Sequence, residues 1–191
     1  MAEIISKKIL ICGIILFFVN LSFMPHVACD DIHILDTGNS LGETLYVGGD
    51  RPGSYDNIQS AINDAKSGDT VFVYNDLSPY YENIVISKSL NLIGENRETT
   101  IIDGGNVGNV VHISANWVNI SSFSIQNSGH DSGISINSDN NMIDDISCSN
   151  CEYGIRFESS EINIVSGNKI EITIMVYIYL IHIMLIFMRI Q

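Results

Sequence analysis

Two carboxylates stand side by side at Asp144-Asp145, and a carboxylate pair is what glycoside hydrolysis or a calcium-assisted lyase would use. Their flanks, Ile143 and Ile146, are apolar, so the preferred expectation is a turn in which Asp hydrogen-bonds nearby backbone. Arg156 alternates with Ile155 and Phe157 and is expected on the solvent side of a strand, where it would meet an acidic sugar or, more simply, a salt-bridge partner. Trp117, the only tryptophan, stands before a strand expected from Val118, and its ring suits stacking on a sugar or packing under an end cap. Trp117, Asp144, Asp145 and Arg156 are the candidate ligand contacts, and no residue is assigned a catalytic role.

Soft and nitrogen ligands are sparse. His112 lies between Val111 and Ile113, and His130-Asp131 falls in a turn; a copper or zinc site needs several such groups converging, and these differ in phase, so no metal is expected. Cys148 and Cys151 make a Cys-x-x-Cys pair, the spacing of a redox motif, half a zinc site or a local disulfide. No second pair completes a zinc site. Cys148 occupies the position that Ile170 takes 22 residues later, so it is expected first as a small buried hydrophobe and second as half of a local disulfide. No Ser-His-Asp spacing, phosphate loop or dinucleotide fingerprint occurs, and no cofactor is expected.

The elements that must carry these side chains repeat. Ser132-Gly133-Ile134-Ser135-Ile136-Asn137-Ser138 returns as Tyr153-Gly154-Ile155-Arg156-Phe157-Glu158-Ser159, a shift of 21, and Val111, Ile113, Ile120, Phe123 and Ile125 map onto Ile134, Ile136, Ile143, Ile146 and Cys148 at a shift of 23. Self-similarity at this period marks a solenoid, in which a repeat buries its apolar face only against the next one. Within each unit the apolar residues alternate, as in strands. The expectation is a coil of about 22 residues with three short strands, repeated about four times, in an all-β parallel β-helix. Asn140, Asn141 and Asn163 fall at turns, where stacked asparagines can hydrogen-bond along the stack.

Upstream, Leu45-Tyr46-Val47 reads as a first strand. Ile58, Ala61, Ile62 and Ala65 then give one apolar stripe at helical spacing, with Gly68 expected as the left-handed cap. The strands Thr70 to Tyr74, Tyr81 to Ile86, Leu90 to Ile93 and Thr100 to Ile102 follow. This order of helix, Gly68-Asp69-Thr70-Val71, Tyr81-Glu82-Asn83-Ile84-Val85-Ile86, Ser89-Leu90-Asn91-Leu92-Ile93-Gly94-Glu95 and Thr100-Ile101-Ile102-Asp103-Gly104 resembles the entry of right-handed parallel β-helix proteins. It is similar to the carbohydrate-binding and sugar-hydrolase group, in particular its NosD-like branch of periplasmic copper-accessory and surface proteins. The resemblance spans roughly residues 45–170 and implies a helix over residues 57–66 that closes one end of the coil. It implies a non-catalytic module binding glycan or a cell-wall component, with a polysaccharide lyase or hydrolase and a copper-delivery accessory protein as alternatives.

The chain has 191 residues with 22 acidic against 9 basic side chains, a formal charge of −13. That balance, with no Lys/Arg cluster, argues against nucleic acid as a partner. Lys7-Lys8, the apolar run from Ile9 to Phe18 and Val27-Ala28-Cys29 have the layout of a secretory signal peptide over residues 1–29. A secreted or cell-surface location is expected. Residues 30–56 read as a leader and first strand, 57–170 as the helix and coils, and 171–191 as an apolar tail.

Taken at face value, residues 172–188 would anchor the chain in a membrane at the short limit of a span. Codon logic gives a second account. Met has one codon and every Val codon begins with GT, so reading Met175-Val176 out of frame forces a glycine. The neighbouring codons then permit Tyr-Gly-Ile-Tyr-Leu-Phe-Asp-Ser, a further copy of the Tyr153 to Ser160 segment. The tail is therefore expected to be a frameshifted coil and the chain the start of a longer solenoid. Sequencing the gene tests this: restoring one base within the codons for residues 169–173 should open a frame that continues with coils of similar length, whereas an immediate stop in that frame would make the tail an anchor.

Overall fold

A computed structural model describes residues 42–171 and the backbone of residues 187–188. The signal peptide read over residues 1–29 and most of the 171–191 tail lie outside the described residues. The strands run β1 (Thr44–Val47), β2 (Thr70–Val73), β3 (Tyr80–Tyr81), β4 (Ile84–Ile86), β5 (Asn91–Gly94), β6 (Ile101–Asp103), β7 (Val111–Ile113), β8 (Asn119–Ile136), β9 (Asn141–Phe157), β10 (Asn163–Ser166), β11 (Lys169–Ile170) and β12 (Phe187–Met188), with one helix, α1 (Ile58–Asp64), after β1. Every pairing between these strands is parallel. The result is a β-solenoid of about 6 turns with about 23 residues per turn.

Three faces line the coil. The first stacks β1, β2, β5, the starts of β8 and β9, and β10. The second stacks β3, β6, the middles of β8 and β9, and β11. The third stacks β4, β7 and the ends of β8 and β9. Because side chains alternate along a strand, each face sends alternate side chains inward, in columns that run along the stack. Val71, Leu92, Ile120 and Ile143 form one; Ile84, Val111, Ile134 and Ile155 another; Ile86, Ile113, Ile136 and Phe157 a third, and all are buried. The expected overlap of Ile134 with Ile155 and Ile136 with Phe157 is found. Ser135 points outward yet is buried, in a column between His112 and Arg156.

The turn count exceeds the four expected from sequence. Early in the chain the step between stacked partners changes, from Thr70 over Asn91 to Asn91 over Asn119, so no constant offset exists to detect there. The strand read over Tyr81 to Ile86 is broken into β3 and β4, because Glu82 turns away and its carboxylate accepts from the Ile58 and Gln59 N–H groups at 2.8 and 2.9 Å. Those are orphan donors of the first helical turn. The helix packs Ile58, Ala61 and Ile62 into the core and is capped by the Asn57 side chain, which accepts from Ser60 N–H. It ends at Asp64, with Ala65 already extended, earlier than expected. Asp69 accepts from Lys66 N–H at 2.7 Å and from Glu43 N–H at 2.8 Å, which holds the chain out of helix before Gly68 is reached.

Corners are made by single residues in the left-handed region. Ser122 (φ 64), Asp145 (φ 52) and Gly167 (φ 66) stack at the bend from the first face to the second; Asp and Gly tolerate this backbone well. Side-chain amides satisfy the backbone where the ladder is interrupted. Val118 N–H donates to Asn141 Oδ1 at 2.8 Å, Asn141 N–H donates to Asn163 Oδ1 at 2.9 Å, and Ile146 N–H donates to Asn168 Oδ1 at 2.7 Å. Asn141 and Asn163 are stacked as expected, but their side chains bond backbone N–H groups of the preceding turn rather than each other. Asn140 takes left-handed backbone instead (φ 60), and its N–H donates to the Ile162 carbonyl.

Ile134 is fully buried with apolar neighbours above and below, so Ile134→Ala should destabilise the fold by roughly 2–5 kcal/mol. Urea unfolding followed by circular dichroism reads this, and a loss well under 1 kcal/mol would contradict the packing described.

Candidate functional site

The four residues singled out from sequence lie in separate environments. Asp144 is in the outward column Ser121, Asp144, Ser166 of the first face, and its carboxylate accepts from the Ser166 hydroxyl at 2.6 Å. Asp145, at the corner, accepts from Arg97 Nη1 at 2.8 Å and from the Ser122 hydroxyl at 3.0 Å. Arg97 reaches this corner from two turns away; it also contacts the Gly167 carbonyl and, through Nε, Glu98. Asp145 does make the expected bend, but both carboxylates are engaged by side chains of other turns of the coil rather than by nearby backbone.

Arg156 stands outward on the third face, 3.1 Å from Glu158 and with its guanidinium 5.3 Å from the Tyr153 ring centre. Trp117 occupies the corner ahead of the first face in left-handed backbone (φ 63), and the strand begins at Asn119 rather than Val118. The residue is 65% exposed, so it does not pack under the helix. His130 neighbours Glu152 at 3.3 Å, whereas His112 is on the third face between Val85 and Ser135. Among the described residues no three His, Cys, Asp or Glu side chains are grouped to hold a metal ion, and no helix is long and apolar enough to cross a membrane.

Alternation places an aromatic cluster on the outside of the first face. With Leu45 and Val47, and Val71 and Val73, directed inward, Tyr46, Phe72 and Tyr74 must point out. Tyr46 lies over Phe72 in register. The ring centres of Tyr46 and Phe72 are 6.3 Å apart, those of Tyr46 and Tyr74 are 6.1 Å apart at an interplanar angle of 25°, and Phe72 and Tyr74 meet edge-on at 5.1 Å. Arg51 lies across the group, its guanidinium carbon 4.5 Å from the Tyr46 centre and 5.7 Å from that of Tyr74.

Backbone and carboxylates fix this cluster from behind. Gly49 N–H donates to Asp76 Oδ2 at 2.8 Å, and Arg51 N–H donates to the Gly49 carbonyl at 2.8 Å, which sets the loop carrying Arg51. Gly49 is left-handed (φ 72), and a Cβ there would come within 2.8 Å of the Tyr74 ring. The Tyr80 hydroxyl donates to the Tyr74 carbonyl at 2.6 Å, and burial, with the nearby Asp76, Glu82 and Glu95 carboxylates, pushes its pKa up and keeps it neutral. The alternation that turns these rings outward is readable in sequence; that β1 lies on β2 is not, because helix α1 intervenes.

Asp103, on the second face, is a buried carboxylate with three donors. Burial works to raise its pKa, but hydrogen bonds from Gln126 Nε2 (2.8 Å), Gly105 N–H (2.9 Å) and Asn127 Nδ2 (2.7 Å) outweigh it and hold the carboxyl below its usual range. Its neighbours are amides and backbone, which suits it to bracing a corner. Comparison with protein-family models, curated proteins and solved structures returns no match to this chain.

A carboxyl whose folded-state pKa is depressed stabilises the fold above its unfolded-state pKa, and that contribution is lost as pH falls through the folded-state value. Asp103→Asn should therefore be less stable than the parent by about 1–3 kcal/mol at neutral pH, with the gap narrowing as pH falls below about 4. Denaturant midpoints measured across that range test it; a gap that widened in acid would contradict the assignment.

Proposed function

We propose that this chain is a secreted or cell-surface binding module of the carbohydrate-binding β-helix type, NosD-like in its coil entry, that holds glycan or another wall polysaccharide without turning it over. The observation that carries the reading is the outward cluster of Tyr46, Phe72, Tyr74 and Arg51 on a flat parallel face. A pyranose ring presents an apolar C–H face flanked by hydroxyls. Half-buried tyrosines offer a complementary surface, apolar on the ring and polar at the hydroxyl, with little side-chain entropy to lose. The export signal read over residues 1–29 supports a location where such polymers occur.

Hydrolysis and elimination both require carboxylates or bases free to reach substrate. Asp144 and Asp145 instead accept from Ser166, Ser122 and Arg97, which favours binding over a lyase or hydrolase. Copper delivery, the other alternative, has no grouped ligand set in its favour among the described residues.

Retention on suspensions of cellulose, chitin, peptidoglycan and pectin, assayed alongside release of reducing or unsaturated ends, tests the proposal. The chain should bind at least one polymer without releasing ends, and Tyr46→Ala and Tyr74→Ala should each weaken that binding by roughly tenfold, about 1.4 kcal/mol. Binding indifferent to both substitutions would move the site elsewhere, with Trp117→Ala the next variant to assay, and turnover abolished by Asp144→Asn would overturn the non-catalytic reading.

A further inference from the structure

At the corner between the second and third faces, two sulfurs converge on one small space. Gly133 and Gly154 occupy equivalent positions in successive turns, flanked by the pairs Ser132 with Tyr153 and Ile134 with Ile155. A Cβ at Gly154 would come within 2.4 Å of Ile170 Cγ2, so in that turn an isoleucine fills the notch. A Cβ at Gly133 would come within 2.3 Å of Cys148 Sγ and 3.3 Å of Cys151 Sγ. Two thiols fill the notch there.

Hydrophobic packing accounts for Cys148, which continues an inward column between Ile125 and Ile170. It does not account for Cys151. Its partner in the preceding turn is Gly129, inside a stretch where the register shifts twice, and it is nonetheless only 3% exposed. Asn150, left-handed at φ 50, turns the chain between the two cysteines, and the Asn150 amide donates to Asn127 Oδ1 in the preceding turn. A pair in Cys-x-x-Cys spacing, folded back by a fixed bend onto a common notch, is arranged for covalent closure.

We propose that Cys148 and Cys151 close a disulfide across this corner by thiol–disulfide exchange with a disulfide oxidant, Cys151 attacking and Cys148 resolving. The Cys151 thiolate attacks one sulfur of the oxidant, the oxidant's S–S bond breaks, and one thiolate leaves. Cys148 then gives up its proton, its sulfur attacks Cys151 Sγ, and the mixed disulfide breaks to release the second thiolate. Two electrons and two protons pass from the cysteines to the oxidant and solvent, and one S–S bond forms. Cys148 sits in the inward column between Ile125 and Ile170, whereas Cys151 sits at the corner opposite Gly129, which favours this order. Contact with the Cys148 thiol lowers the Cys151 pKa, burial opposes the shift, and the Ser128 and Asn127 N–H groups add to it, while the same contact and burial push Cys148 up.

The test uses the full chain equilibrated with oxidised and reduced glutathione at the poise of an oxidising export compartment, quenched in acid, denatured and treated with N-ethylmaleimide. Trypsin releases residues 98–156 as one peptide holding both cysteines. That peptide should lack two hydrogens and carry no maleimide. Two maleimides on it, or a bond from either cysteine to Cys12 or Cys29, would overturn the proposal. In Cys148→Ala the peptide should carry one glutathione on Cys151, whereas in Cys151→Ala the remaining Cys148 should react at least tenfold more slowly; the reverse pattern would overturn the assigned order. Peptide mapping of the unsubstituted chain decides the bond itself even if a variant fails to fold, and it is independent of any polysaccharide assay.

Discussion

A parallel coil can bond its backbone to the turns above and below only where the chain is straight, and at each corner it must find other partners for N–H groups that water does not reach. An unpaired buried amide costs about as much as several good contacts supply. In this protein the corner groups are met by side-chain carbonyls and carboxylates of the next turn, as with Asn141 beneath Val118, Asn163 beneath Asn141 and Asn168 beneath Ile146. Each such bond fixes how far one turn lies from the next and at which residue it bends. The inward columns of Ile, Val, Leu and Phe stay in register because these corners do not slip, and a slip by one residue would exchange the inner and outer sets.

The same constraint gives part of the acidic excess a structural role. Asp69, Asp76, Glu82, Glu95, Asp103 and Asp139 each accept from at least one backbone N–H, usually in another turn. A carboxylate offers two oxygens and is a stronger acceptor than an amide, so it can tie a helix start, a loop and a strand end at once, as Asp69 and Glu82 do. Six of the 22 acidic side chains serve the architecture in this way, among them Asp76 behind the outward aromatic cluster of Tyr46 and Tyr74.

Legibility in the sequence followed the range of the interactions. The overlap of Ile134 with Ile155 was visible because two consecutive turns repeat residue by residue, and helix α1 because its buried stripe is local. Gly68 is a familiar stop signal and points to a later helix end, while the group that ends the helix, Asp69, acts through a hydrogen bond from Lys66 N–H that spacing does not announce. Glu82 looked like one more strand residue, since its role lies with an N-terminus 23 and 24 positions back. Asp145 was correctly read as a bend, but its partner Arg97 is 48 residues away, beyond any pattern. The aromatic cluster was half visible: alternation assigns Tyr46, Phe72 and Tyr74 to the outside, and only the stacking of β1 on β2 makes them neighbours.

The two kinds of corner differ in how much change they can absorb. At Ser122, Asp145 and Gly167 one residue makes the whole bend, so an added residue would turn Phe123 and Ile146 out of the core. From Gln126 to Ser132 the register has already shifted twice without disturbing Ile134 or Ile136. Over generations, then, length variation and new loops should gather along one seam of the coil and be purged from the other, so that descendants of this chain would differ by what they carry on a single edge while keeping the same cross-section.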